Sequence, residues 1–321
     1  MALNSNGTIV ETAGLTKSYK GVNALKGLDL NVPKHSIFGF LGSNGSGKTT
    51  TIKLLLGLTQ PTEGSASIFG LDSVDESLEI RKKVGYLGQD PRFFDNMTAR
   101  ETMRFRAGFY YTGPSMAIES RISEVLDLVG ISDKSDRPVK GFSGGERQRL
   151  GIGQALINSP DLLILDEPAA ALDPMGRRDV LDVMRSLKSE TTIFYSTHIL
   201  DDVQRVSDSV AILNHGNLLA QAPIEELLGG SGKTIYTIVL KGDSSEIQLR
   251  VMSKEWVESV DVSPSKEETI LQVSVTDDKA AEAQLMRLIS TDEHVTVSEF
   301  KRQEMDLEEA FINLVEQNDD N

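Results

Sequence analysis

Nine residues, Gly42-Ser43-Asn44-Gly45-Ser46-Gly47-Lys48-Thr49-Thr50, constrain this chain more than any other stretch. They follow the apolar run Ile37-Phe38-Gly39-Phe40-Leu41 and open an apolar-periodic run over residues 52–58. Glycine, four residues, then Gly-Lys-Thr is the spacing of a phosphate-binding loop, and its setting predicts a strand turning into a helix. The glycines let the backbone curl so that successive N–H groups point inward. The helix behind them presents unpaired N–H groups and the positive end of its dipole. Such a cup accepts phosphate. Within it Lys48 would sit on the β and γ phosphates as a point charge, and the Thr49 hydroxyl would take a place on Mg²⁺. A plain glycine-rich turn is the other reading, and the strand and helix patterns on either side weigh against it.

The 321 residues suffice for two domains with separate cores. No cysteine is present, which excludes disulfides, thiolate metal sites and thiol nucleophiles. Residues 1–8 show no basic stretch followed by an apolar run, so no signal peptide is expected. No window reaches about 18 apolar residues, so no helix is expected to cross a bilayer. The expected place is the cytoplasm, with any membrane role supplied by a partner. Formal charge is −15, unevenly spread: residues 231–321 hold 20 acidic and 9 basic side chains, a net of −11, which leaves −4 for the first 230. No Lys/Arg cluster of the kind that displaces phosphate counterions is seen, so nucleic acid is not expected as a main partner.

Residues 9–15 read as a strand, then a polar turn, then a second strand region over 23–32. Tyr19 falls in the turn, 23 residues before Gly42. Its ring could stack on a purine if the first strands fold over the phosphate site; an exposed loop tyrosine is the alternative. A short strand is expected over 65–69, a helical turn over 77–83 and a strand over 84–87. Just beyond stands Gln89, whose amide can accept from a metal or water while donating elsewhere. From residue 98 to 138 the pattern is helical, with Thr98 and Glu101 spaced as a capping box.

A second helix start follows at Phe142-Ser143-Gly144-Gly145-Glu146. Ser143 is a good N-cap, and two glycines expose backbone N–H groups, but there is no lysine and no strand directly before. An incomplete cradle about a hundred residues from a complete one suggests a nucleotide shared between two subunits across a two-fold axis; an ordinary capped helix is the other reading. The run Leu162-Leu163-Ile164-Leu165 ends in Asp166-Glu167-Pro168 and suits a parallel strand buried on both faces. Asp166 would hold Mg²⁺, directly or through water, and Glu167 would orient or deprotonate the attacking water. Leu172-Asp173-Pro174 follows as a loop suited to a dimer interface. After a helix over 176–188 and a strand over 191–196, His198 stands where it could donate to a γ-phosphate.

Tyr19, the phosphate loop, Gln89, Ser143-Gly144-Gly145-Glu146, Leu165-Asp166-Glu167-Pro168, Leu172-Asp173-Pro174 and His198 occur in the order found in the ATPase subunit of ABC transporters, which residues 9 to about 228 resemble. The resemblance implies an α/β fold: a P-loop NTPase domain of the ABC type over residues 1–230, with a mixed sheet core and a helical subdomain at about 90–158. It implies that Tyr19, Gly42, Ser43, Asn44, Gly45, Ser46, Gly47, Lys48, Thr49, Thr50, Gln89, Ser143, Gly144, Gly145, Glu146 and Asp173 bind ATP. Thr49, Gln89 and Asp166 would then hold Mg²⁺, and Glu167, His198 and Lys48 would be catalytic. It further implies an ATP-sandwich dimer and a membrane permease contacted through the helical stretch from Phe93 to Phe105, with the chain at the cytoplasmic face of the membrane. Two positions depart from the family: Phe142 stands where leucine is usual, and Pro168-Ala169-Ala170-Ala171 where Pro-Thr-x-Gly is usual.

Beyond a Gly/Ser hinge at 229–232, strands are expected over 235–240, 247–251, 270–275 and 295–300 and a helix over 280–289, a small acidic α+β domain. An amphipathic helix at 305–314 resembles the ending of ATPase subunits in the ABC-2 class of exporters. Two other classes compete. A soluble ABC ATPase acting on nucleic acid or ribosomes would show coiled-coil insertions, zinc sites or a second cassette. A P-loop kinase would leave Ser143-Gly144-Gly145 and His198 without a role.

Overall fold

The computed structural model describes residues 7–229, 234–242, 244–265, 268–291, 295–303 and 307. They divide into two compact units, one up to Ile224 and one from Glu225. The hinge read at 229–232 and the terminal helix read at 305–314 lie outside the described residues, save Gly229 and Leu307.

In the first unit, strands β1 (Thr8–Tyr19), β2 (Val22–Leu28) and β3 (Asn31–Pro33) precede β4 (Ile37–Gly42) and helix α1 (Lys48–Leu55). Then come β5 (Glu63–Ile68), β6 (Leu71–Asp72), α2 (Ser77–Lys83), β7 (Val84–Leu87), α3 (Ala99–Ala107), α4 (Ser115–Leu128) and α5 (Gly144–Leu156). The chain goes on through β8 (Leu162–Asp166), α6 (Pro174–Leu187), β9 (Thr192–Thr197), α7 (Leu200–Val206), β10 (Ser209–Asn214) and β11 (Asn217–Pro223), and α8 (Ile224–Gly229) leads into the second unit.

Two sheets result. One is antiparallel, in the order β2-β1-β5-β6, with β3 also on β1. The other runs β11-β10-β4-β9-β8-β7, parallel except for the edge strand β11. Every residue of β4, β8 and β9 is buried, as parallel strands covered on both faces require. Phe194 of β9 packs on Phe38 and Phe40 of β4, with ring centroids 5.9 and 5.3 Å apart. Because β4, β9, β8 and β7 are adjacent and parallel, their carboxyl ends share one edge of the sheet. Ligand groups collect at such edges.

Several boundaries differ from the sequence reading. The first strand runs on through Tyr19, and the turn is only Lys20-Gly21, with φ of 46° and 85°. Two residues with positive φ match the twist of a hairpin, so the strands need no longer loop. The strand region read at 23–32 is two strands, β2 and β3, paired to different parts of β1. Helix α1 stops at Leu55 although apolar residues continue: Gly57 has φ 62°, and a Cβ there would stand 2.3 Å from the Ser73 carbonyl oxygen. That glycine turns the chain out of the helix.

The helical reading from Phe93 is also corrected. Residues 93–97 are irregular, and α3 begins at Ala99 behind the N-cap Thr98. The capping box is complete: Glu101 N–H donates to Thr98 Oγ1 at 3.1 Å, and Thr98 N–H to Glu101 Oε2 at 2.8 Å.

The second unit orders its elements as β12 (Thr234–Lys241), α9 (Ser245–Met252), β13 (Val257–Ser265), β14 (Glu268–Val275), α10 (Asp278–Ser290) and β15 (Thr296–Gln303). Its sheet runs β13-β14-β12-β15, all antiparallel, which is the ferredoxin-like βαββαβ arrangement. The strand expected at 247–251 is helix α9. Ile247 and Val251, four apart, are buried, while Leu249 between them is 72% exposed. That is a helix face rather than one side of a strand.

Candidate functional site

The phosphate loop joins β4 to α1, as its pattern predicted, and Gly47 precedes the helix with φ 117°. No side chain caps α1. Its first N–H groups therefore face the loop's interior, where an anion would satisfy them. Glycine is required at two places: a Cβ on Gly42 would lie 2.4 Å from the Leu213 carbonyl oxygen, and one on Gly47 2.7 Å from that of Ala24. A cavity of about 360 Å³ opens here, lined by Asn44, Gly45, Gly47, Lys48, Thr49 and Thr50 of the loop, with Ala24, Gln89 and Glu167.

Lys48 is buried at the centre. Its ammonium donates to the carbonyls of Gly42 (2.7 Å) and Ser43 (3.2 Å) and pairs with Glu167 Oε1 at 3.2 Å. The Ser46 hydroxyl, in the loop but not lining the cavity, is buried with no hydrogen-bond partner.

Behind the cavity stand the carboxylates that end β8. Thr49 Oγ1 donates to Asp166 Oδ1 at 3.4 Å, which brings together a hydroxyl and a carboxylate of the kind that could hold a divalent cation. Ser196 Oγ donates to the same oxygen at 2.6 Å and accepts from Glu167 N–H at 3.0 Å. Glu167 has φ 51°, an uncommon left-handed backbone for a residue with a side chain. The bend turns its carboxylate from the strand toward Lys48 on one side and His198 on the other, whose Nδ1 lies 2.7 Å from Oε2. Burial, and then the Asp166 carboxylate, raise the Tyr86 phenol above its usual pKa. Ser196 was missed in the sequence; the one signal was its place near the end of a strand, two residues before His198.

Of the other residues read from sequence, Gln89 lines the cavity from the loop after β7. Tyr19 does not line it; the ring is 43% exposed, with Lys17 Nζ 4.9 Å from its centroid.

Ser143, Gly144, Gly145, Glu146 and Asp173 line a different cavity of about 500 Å³ in the same unit. There Ser143 and Glu146 form a full capping box on α5, so within one chain the capped-helix reading holds. Asp173 caps α6, its Oδ1 accepting from Gly176 N–H at 3.0 Å. The two helices meet closely: a Cβ on Gly145 would lie 3.2 Å from the Gly176 Cα. Phe142, the departure from leucine, is buried, and Ala171 lines the cavity.

A phosphate loop at the carboxyl edge of a parallel sheet, with a strand-end Asp-Glu pair beside it, defines a P-loop NTPase. ABC transporter is the family that matches residues 25–170. Daunorubicin/doxorubicin resistance ATP-binding protein DrrA of Streptomyces peucetius is 34% identical over 95% of this chain and 92% of its own length. Bacitracin transport ATP-binding protein BcrA of Bacillus licheniformis is 41% identical over 68% of this chain and 71% of its own. Among solved structures, the ATP-binding cassette MJ0796, a dimer in a post-hydrolysis state bound to ADP and Pi, superposes with a TM-score of 0.61 at 26% identity, covering 67% of this chain and 99% of that one.

The chain belongs to the ABC transporter family, as an ATP-binding and ATP-hydrolysing subunit of the exporter type. Such a subunit acts as a dimer and with a membrane partner. No described helix is long and apolar enough to cross a membrane.

Proposed function

We propose that the chain is the peripheral ATPase of a membrane exporter, and that each ATP is held between the Lys48 cradle of one subunit and the Ser143-Gly144-Gly145 helix start of the other. The observation that carries this reading is the contrast between the two cavities. The Lys48 cavity has a lysine, uncapped helix N–H groups and Glu167, which His198 contacts; the Ser143 cavity has a helix start whose neighbouring lysine, Lys134, is taken up by Glu146, and it has no carboxylate paired with a histidine. Each lacks what the other supplies.

Within the site, Lys48 exchanges its contact with Glu167 and two carbonyls for phosphate oxygens. Thr49, Asp166 and Gln89 would hold Mg²⁺, which would supply charge neutralisation for the β and γ phosphates. Glu167 orients the attacking water and accepts its proton. His198 fixes the Glu167 carboxylate through the 2.7 Å contact and is placed to reach the γ-phosphate. Tyr19 offers a face to the base.

The permease contact is assigned to the stretch from Phe93 to Phe105 and its continuation. Phe94, Phe105 and Phe109 stack edge to face, with centroids 5.6 and 5.3 Å apart, and are 57%, 49% and 67% exposed. An exposed aromatic cluster of this kind is a binding surface. The resistance and antibiotic-transport relatives support outward movement of an antibiotic-like compound. The test is co-purification from native membranes in mild detergent, with Glu167→Gln to slow hydrolysis. A polytopic membrane protein should remain bound in Mg-ATP, and Phe94→Ser/Phe105→Ser/Phe109→Ser should lose it while still binding ATP. A soluble or ribosomal partner in its place would overturn the reading.

A further inference from the structure

A helix end that receives phosphate does so with N–H groups and a positive dipole end, yet the third residue of α5 is a glutamate. Glu146 Oε2 accepts from Ser143 N–H at 2.8 Å, so its negative charge stands in the first turn, beside Gly144 and Gly145. A carboxylate there stabilises the helix and repels a second anion. Lys134, in the short 3-10 turn Ser132–Lys134, meets this charge: its ammonium is 2.6 Å from Glu146 Oε1. The Glu146 side chain is 12% exposed and that of Lys134 33%, so solvent screens the pair only in part. Both residues line the cavity that holds Ser143, Gly144 and Gly145. Burial would raise the Glu146 carboxyl, but the hydrogen bonds from Lys134 and Ser143 outweigh it and hold the group below the usual glutamate value. The carboxylate is therefore charged at neutral pH and needs a counter-charge before another anion can approach.

We infer that Lys134 is a positioning residue for the shared nucleotide site: by pairing with Glu146 it cancels the negative charge at the start of α5 and lets that helix end receive the γ-phosphate of the ATP held by the other subunit. This rests on the two-subunit reading above. Lys134 acts through Glu146 and does not itself bind phosphate.

The test uses the full chain carrying Glu167→Gln, titrated with Mg-ATP, with dimer read by sedimentation velocity and nucleotide binding to the monomer read by fluorescent-ATP titration. Lys134→Met should raise the ATP concentration for half-dimerisation about tenfold, the scale of one uncompensated, partly screened charge. Monomer affinity should stay unchanged. Adding Glu146→Gln should return the midpoint to within about twofold of the starting value. An unaltered midpoint with Lys134→Met, or a raised one that Glu146→Gln fails to restore, overturns the inference. If Lys134→Met does not fold, Glu146→Gln with Lys134 intact decides it: the midpoint should hold or fall, and a rise overturns the inference. Glu167→Gln that never dimerises at saturating Mg-ATP would instead sink the two-subunit reading, and the role of Lys134 with it.

Discussion

Ser196 shows how much of this site depends on one unremarked hydroxyl. It is fully buried and ties the Asp166 carboxylate to the Glu167 backbone, donating to the first and accepting from the N–H of the second. Ser196→Ala leaves Asp166 without its 2.6 Å donor and leaves the Glu167 N–H only the Ser196 backbone carbonyl, at 3.2 Å. A loss of about 1–3 kcal/mol in unfolding free energy is expected, and turnover should fall by more than nucleotide affinity. Denaturant melts together with kcat and ATP-binding titrations check both; an equal loss in the two functional readouts would count against a positioning role. Lys48, Asp166, Glu167 and His198 were legible in the sequence because each ends or follows a recognisable strand or loop. Ser196 was not, because its role comes from register: it is the Cα partner of Asp166 across β8 and β9, thirty residues away. Lys134 was silent for the same reason, since no local pattern links it to Glu146.

At the level of elements, α2, β7, β8 and the start of α3 all fall where their residues predict, the last two through an unbroken apolar run and a capping box. Helix α9 did not, because Ile247, Leu249 and Val251 alternate in type while only the outer two are buried. In a short segment, period two and i,i+4 spacing look alike until burial separates them. A tie between two correctly read helices was equally hidden. Arg177 of α6 pairs with Asp202 of α7 at 2.5 Å, and Asp202 is 1% exposed. The pair links the helix capped by Asp173 to the one that starts just after His198. Burial raises the Asp202 carboxyl, with Arg177 opposing. Arg177→Met should therefore cost about 3–5 kcal/mol at neutral pH, and Arg177→Met/Asp202→Leu should recover most of it. Since a carboxyl with a raised folded-state pKa favours the folded protein below its unfolded value and loses that advantage as pH rises, the Arg177→Met deficit should shrink toward acid pH. Thermal melts between pH 4.5 and 7.5 read it. A deficit that is flat with pH would show that lost packing, not a stranded charge, is the cause.

Over the whole molecule, each unit has its own core: β1, β4, α1 and their neighbours in the first, and the helix-covered face of β12 and β14 in the second. The acidic excess of residues 231–321 marked the second unit as a different surface, and its α+β class was legible. Its ferredoxin-like strand order was not, because antiparallel pairing between distant strands leaves no local trace and β13 carries a proline and alternates weakly. The first unit presents two half-sites, and the account stands on their being completed by a second copy. The most direct measurement is the oligomeric state of Glu167→Gln by sedimentation velocity, with and without saturating Mg-ATP. The account predicts monomer without nucleotide and a stable dimer holding two ATP with it, the dimer being lost when Lys48→Ala is added. A Glu167→Gln protein that binds ATP and stays monomeric, alone and with its membrane partner, would contradict it.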